Sequence, residues 1–230
     1  MVRYRVRGQR ALRASRVHRR RDSGRPRRLL PGESGGACGL VVGGRGWVSR
    51  RRPGGGAAVK AHDTYWATAV HEAAHAVAAL DQGLSFEFIH IWLDGGWFSK
   101  NGRGIVRICE PGHEMDTDDA PAEHQYHMYP DQMLVQSLAS YPAEYRAILE
   151  MGYRESVALR ELRESTGSDR SHAAGYAQYA SLTWDAACEV ADDIVDDYWP
   201  VITDLAAVLV DSGGYLAWSD AMSVIQSVSV

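Results

Sequence analysis

Between residues 63 and 82 apolar side chains return every three or four positions, as Trp66, Val70, Ala73, Val77 and Leu80. That spacing is the period of an amphipathic helix. Asp63 or Thr64 offers a side-chain oxygen to cap the first turn, and Gly83 is the residue type that most readily leaves a helix, so a helix is predicted to about Gln82. The period then changes. The run SFEFIHIWL at 85–93 alternates Phe86, Phe88, His90 and Trp92 with Glu87, Ile89 and Ile91, and after Asp-Gly-Gly a second extended run ends at Cys109. A period of two interrupted by glycines predicts a hairpin or small meander. Residues 110–130, with Pro111, Gly112, Pro121, Pro130 and a string of acids, predict a long loop.

The rest of the chain reads as helical. One segment covers about 131–150 with Pro142 inside it, which predicts either two short helices or one kinked helix. After the polar stretch LRESTGSDRS, a long helix is predicted from about Ser171, with Tyr176, Ala180, Trp184, Ala187, Ala191 and Ile194 on one face. Asp185, Glu189, Asp192, Asp193, Asp196 and Asp197 fall elsewhere on it, as a solvated acidic face. Pro200 is expected to end it, and two further helices follow at about 200–211 and 219–228. The expected fold class is α+β, mostly helical, with a small β-hairpin or sheet and a C-terminal helical bundle.

Composition divides the chain at about residue 60. Residues 1–60 hold 16 Arg, 12 Gly and only two acids, Asp22 and Glu33, without helical or strand periodicity, so they build no core. Residues 61–230 form the expected domain and are acidic. Tyr4 and Trp47 are the only aromatics in the basic segment, too few for the stacking that single-stranded nucleic acid prefers, so nucleic-acid binding is not expected. The segment is read as a translated upstream stretch of G+C-rich DNA with the natural start near Val59, as a disordered basic tail, or as a targeting signal. N-terminal sequencing of the native protein is expected to begin near Val59. Three cysteines, Cys38, Cys109 and Cys188, lack metal-ligand spacing, and with no apolar run near the ~20 residues of a membrane span a cytoplasmic protein is expected.

The predicted helix at 63–82 carries His71-Glu72-Ala73-Ala74-His75 in an alanine-rich run. Positions four apart on a helix lie one above the other, so both imidazoles can aim a nitrogen at one point in front of a single face. A zinc ion about 2.0–2.1 Å from each nitrogen meets that geometry. Glu72 lies about 100° further round, beside such an ion, where its carboxylate can take a proton from water. Three polar groups that are costly to bury singly become tolerable around a shared cation. A catalytic zinc needs a third protein ligand. Asp81 is the near candidate, but position 78 is Ala, not the Gly that would break the helix, and on a continuing helix Asp81 points away from the pair. The third ligand is therefore expected from farther along the chain.

The run ATAVHEAAHAVAAL, the following strand, a helix with Ala143-Glu144, and STGSD opening a later helix together resemble the peptidase domain of FtsH-type ATP-dependent zinc proteases. That family has a His-Glu-x-x-His-Ala helix and draws its third zinc ligand from an Asp after a Thr-Gly pair. The resemblance, over about residues 64–200, implies a zincin-like metallopeptidase domain with His71 and His75 as zinc ligands, Glu72 as general base and Asp169 as third ligand. Ala74 stands where the family usually has Gly, and Asp169 follows Gly167 more closely than in the family pattern. His172, Glu144 and Asp185 remain alternatives for the third ligand.

FtsH-type proteases carry an ATPase module and a membrane anchor, whereas this chain has no GxxxxGK[ST] and only two lysines. The expected activity is therefore zinc-dependent hydrolysis of flexible or already unfolded polypeptide, by a stand-alone peptidase or with a separate protein partner or further copies of itself. His124, Tyr126, His127 and Tyr129 are candidates to stabilise the oxyanion. The alternative class is a helical binding or regulatory module that keeps the scaffold without turnover. A di-iron reading needs a second helical ExxH, and Glu110-Pro111-Gly112-His113 cannot be helical.

Overall fold

The computed structural model describes residues 61–93, 102–109 and 129–228. Helix α1 (Ala61–Asp81) leads into strand β1 (Ser85–Leu93), which pairs with β2 (Gly102–Cys109). Seven helices follow among the described residues, interrupted once by a short strand: α2 (Pro130–Leu138), α3 (Ser140–Glu150), α4 (Glu155–Ser165), α5 (Gly167–Ala177), α6 (Trp184–Asp197), α7 (Trp199–Asp211), then β3 (Tyr215–Ala217) and the terminal α8 (Trp218–Val228). The class is α+β, mostly helical, with one three-stranded antiparallel sheet in the order β2-β1-β3.

The centre of the fold is α1. Every residue from Ala69 to Leu80 is buried, so this helix has no solvent face along its middle. Alanine at 69, 73, 74, 76, 78 and 79 explains how: short side chains let the sheet and α2, α3, α6 and α7 all approach one helix. The helix stops as its glycine predicts. Gly83 takes a positive φ of 82°, its N–H reaches the Leu80 carbonyl, and the Leu84 N–H closes on Ala79. The main core gathers Val70, Phe86, Ile89, Ile91, Ile202, Leu205 and Leu209 around it, and a smaller cluster of Tyr145, Ile148, Val157 and Leu162 seals α4 against α3 and the start of α1.

Several expectations are corrected. The segment at 131–150 is two helices, but the break falls at Ala139, not at Pro142, which sits in the first turn of α3 where a missing N–H costs nothing. The single helix expected from Ser171 to Pro200 is two, α5 and α6. Residues 178–183 separate them, and Thr183 caps α6 by accepting from the Ala186 N–H. Asp131 of α2 holds that connection through the backbone N–H groups of Ser181 (2.6 Å) and Leu182 (2.8 Å). Helix α6 does end before Pro200, at Asp197, and the helix expected from about 200 follows as α7 with Pro200 in its first turn. Helix α4 and strand β3 add to the expected elements, and the three residues of β3 carry too little periodicity to read from a sequence.

The simple alternation of the strand fails at its start. A bulge on β1 between Phe86 and Ile89 turns Phe86 to the same inner face as Ile89 and Ile91, all three buried. Cys188 is buried on α6 and disulfide-bonded, so the cysteines give no support to the expected cytoplasmic location. Residues 1–60 and the candidates His124, Tyr126 and His127 lie outside the described residues.

Leu205 is fully buried on α7, in the core that also holds α1. Leu205→Ala should cost about 2–5 kcal/mol through lost contact and an unfilled cavity. The loss would be read as a lowered midpoint of chemical denaturation at unchanged slope.

Candidate metal-binding site

His71 and His75 lie one turn apart on α1, 7% and 6% exposed, with ring centroids 4.9 Å apart. Each ring is fixed from behind. His71 Nδ1 donates to Glu144 Oε2 on α3 at 2.8 Å, and His75 Nδ1 donates to the Gln136 carbonyl of α2 at 2.8 Å. Both acceptors lack a proton to give, the first as a carboxylate and the second as a carbonyl, so each neutral imidazole must carry its proton on Nδ1. The two Nε2 atoms are then bare lone pairs, and they face each other at 3.2 Å.

Asp169 closes the triangle. It lies in the first turn of α5, where the free N–H groups and the helix dipole favour a carboxylate, and its Oδ2 stands 2.9 Å from His71 Nε2 and 3.6 Å from His75 Nε2. Ser140 donates to the same oxygen at 3.3 Å. Three electron-rich atoms thus converge in a buried place, an arrangement that is repulsive unless something positive sits among them. Ligand atoms of His71, His75 and Asp169 all lie within 4.8 Å of one another, and the cluster could hold a metal ion.

Glu72 stands beside this cluster, 5% exposed, with Oε1 3.9 Å from His71 Nε2. Burial pushes its carboxyl above the usual range, an effect that His71 and His75 offset in part. A second layer supports the first, since Ser165 donates to Glu144 Oε2 at 2.9 Å, the oxygen that orients His71.

The four residues expected from the sequence to carry the site, His71, Glu72, His75 and Asp169, are brought together. The alternatives are not. His172 and Asp185 are exposed on α5 and α6, and Asp81 accepts from the Gln82 side chain. Glu144 enters the site, but behind His71 as an orienting group and not among the converging atoms. Tyr129 precedes α2. Sequence reasoning missed the Gln136 carbonyl, Ser140 and Ser165. A backbone carbonyl has no sequence signature, and two serines among many offer none.

What fold and site define is an α+β protein with a buried two-histidine, one-carboxylate cluster able to hold a metal ion. A scan against protein-family models finds no match to the chain, and a search of curated proteins returns no relative.

Without a metal, a proton fills the same need. Burial works against a charged His71, but the hydrogen bonds and charges of Asp169 and Glu144 outweigh it and hold its pKa well above the ordinary value. A raised folded value stabilises fully below the unfolded one, about 6.5, and the contribution is lost as pH rises through the folded value. Asp169 works in the opposite sense. Burial raises its pKa, but bonding to His71 and His75 holds it far below the carboxylate range, so its contribution is present above about pH 4 and lost as pH falls. Metal-free protein should therefore lose thermal stability as pH climbs from about 6.5, and added zinc should cancel that loss by replacing the proton. Tm against pH, with and without zinc, reads both effects, and coincident curves would contradict them.

Proposed function

We propose that this chain is a zinc-dependent metallopeptidase with a zincin-like domain, hydrolysing peptide bonds in flexible or unfolded polypeptide. The observation that carries the proposal is the triangle of His71 Nε2, His75 Nε2 and Asp169 Oδ2, with edges of 2.9, 3.2 and 3.6 Å, set beside the carboxylate of Glu72. Ligands about 2.0–2.1 Å from a tetrahedral zinc lie about 3.3 Å from each other, close to the mean of those edges. Three protein ligands of this kind leave one position open, the pattern of a catalytic rather than a structural zinc. The same four residues are those that the likeness to FtsH-type peptidases implied.

A bound zinc would polarise the scissile carbonyl and make water acidic enough to be a nucleophile near neutral pH. The protein's own groups do the rest. Glu72 is placed to accept the proton of the attacking water on its carboxylate and to hand it to the departing amine. Its raised pKa suits a group that must both take and return a proton. Glu144 and the Gln136 carbonyl keep both imidazoles in the tautomer that presents Nε2.

Substrate has a natural place to lie. The Ile91 N–H donates to the Gly214 carbonyl, on the β3 side, and in an antiparallel strand the N–H and C=O of one residue point the same way. Gly104, which pairs with Ile91, therefore turns its own N–H and C=O toward the outer edge of β2, next to the cluster. An extended polypeptide can add to that edge as a further strand. Among the described residues no helix is long and apolar enough to cross a membrane. Unfolding of compact substrates would fall to a separate protein partner, whereas on polypeptide that is already unfolded the chain would work alone or as further copies of itself.

The test is metal content and casein hydrolysis of the full chain beside three variants. Wild type should hold one zinc per chain and cleave casein. His75→Ala and Asp169→Ala should lose the metal, whereas Glu72→Gln should keep it and lose about 10²–10⁴-fold in kcat. Hydrolysis retained by Glu72→Gln would remove Glu72 from the mechanism, and zinc without turnover in wild type would favour a binding or regulatory module.

A further inference from the structure

Glycine within a strand weakens it, because it adds backbone freedom and packs nothing, so its presence in the middle of β2 calls for a cause. Gly104 pairs with the buried Ile91, on the face of the sheet turned toward α1. A Cβ added at position 104 would overlap Glu72 Cγ and stand 2.5 Å from Glu72 Oε1 and 2.6 Å from Glu72 Cδ. Carbon atoms in contact rest about 3.5–4.0 Å apart, so the strand backbone and the glutamate already fill the space between them. Yielding is hard for either partner. The atom struck most closely is a methylene near the root of the side chain, and Glu72 sits on a helix packed on all sides, 5% exposed.

We propose that Gly104 is a positioning residue for Glu72: the bare backbone of β2 is the wall that holds the glutamate carboxylate beside His71 and His75. The role rests on the peptidase reading above, but the contact beneath it does not. Glu72 receives no hydrogen bond among the described residues that would fix its rotamer, unlike His71 and His75, whose Nδ1 atoms are both engaged. Its orientation is set by shape. Any side chain at 104 would swing the carboxylate away or lift β2, and neither change touches the atoms that converge on the metal.

The experiment compares wild type, Gly104→Ala, Glu72→Ala and the double variant as full chains. Gly104→Ala should keep one zinc per chain, and its kcat on casein should fall about 10²-fold, the scale of a misplaced catalytic group, with a smaller change in KM. It should also lower Tm, whereas in the Glu72→Ala background the same substitution should lower Tm little or not at all, because the methyl group then enters vacated space. If Gly104→Ala fails to fold, the double variant should fold, and its failure would overturn the contact. Equal Tm losses in both backgrounds would overturn it too. Unchanged kcat in a folded Gly104→Ala protein would overturn the positioning role. Absence of turnover in wild type would sink the peptidase reading and the positioning role with it, while the stability comparison would still report the contact.

Discussion

Two imidazole nitrogens without protons, held 3.2 Å apart and facing one carboxylate oxygen, require positive charge between them. The requirement arises behind the rings. Because Glu144 and the Gln136 carbonyl can only accept, each Nδ1 must donate and each Nε2 must be bare. A cluster of lone pairs buried at this depth is stable only with a partner that supplies charge, whether a proton or a metal ion. Much of the architecture serves that constraint: α2 and α3 bring the acceptors, α5 brings Asp169, and α1 carries both rings.

Helix α1 can meet so many partners because of its small residues. A helix ringed by large side chains keeps its neighbours about 10 Å away, whereas the alanines here admit sheet and helices together. Burial there works against the charged forms of His71 and Asp169, and their departures from the ordinary pKa values come from the hydrogen bonds and charges they exchange, with Glu144 and His75 adding to them. The edge strand β2 contributes in another way, by lying directly on Glu72 at a residue with no side chain.

The sheet shows how a local irregularity shapes a site. One extra residue on β1 between Phe86 and Ile89 brings three apolar side chains to the inner face, and the strand beyond it pairs Ile91 with Gly104. Short β3 then takes the hydrogen-bonding side of Ile91 and leaves the groups of Gly104 turned outward. Strand β2 thereby stands next to Glu72, beside the cluster of His71, His75 and Asp169.

Much was legible in the sequence because it depends on local rules. The span of α1, its stop at Gly83, the two pairing strands and the inward stripe of α6 follow from side-chain period and turn chemistry, which need no knowledge of the rest of the chain. The i, i+4 spacing of His71 and His75 is of the same kind, since a helix alone makes them neighbours. Asp169 is not. It lies almost a hundred residues away, and only the likeness to a known family pointed to it; its arrival beside His71 depends on how α5 packs against α2. The breaks at Ala139 and at 178–183, the strand β3, the bulge on β1 and the closeness of Gly104 to Glu72 were likewise decided by packing. Each depends on which surfaces meet, and a linear pattern of apolar and polar residues records the face a residue turns inward but not what it meets there.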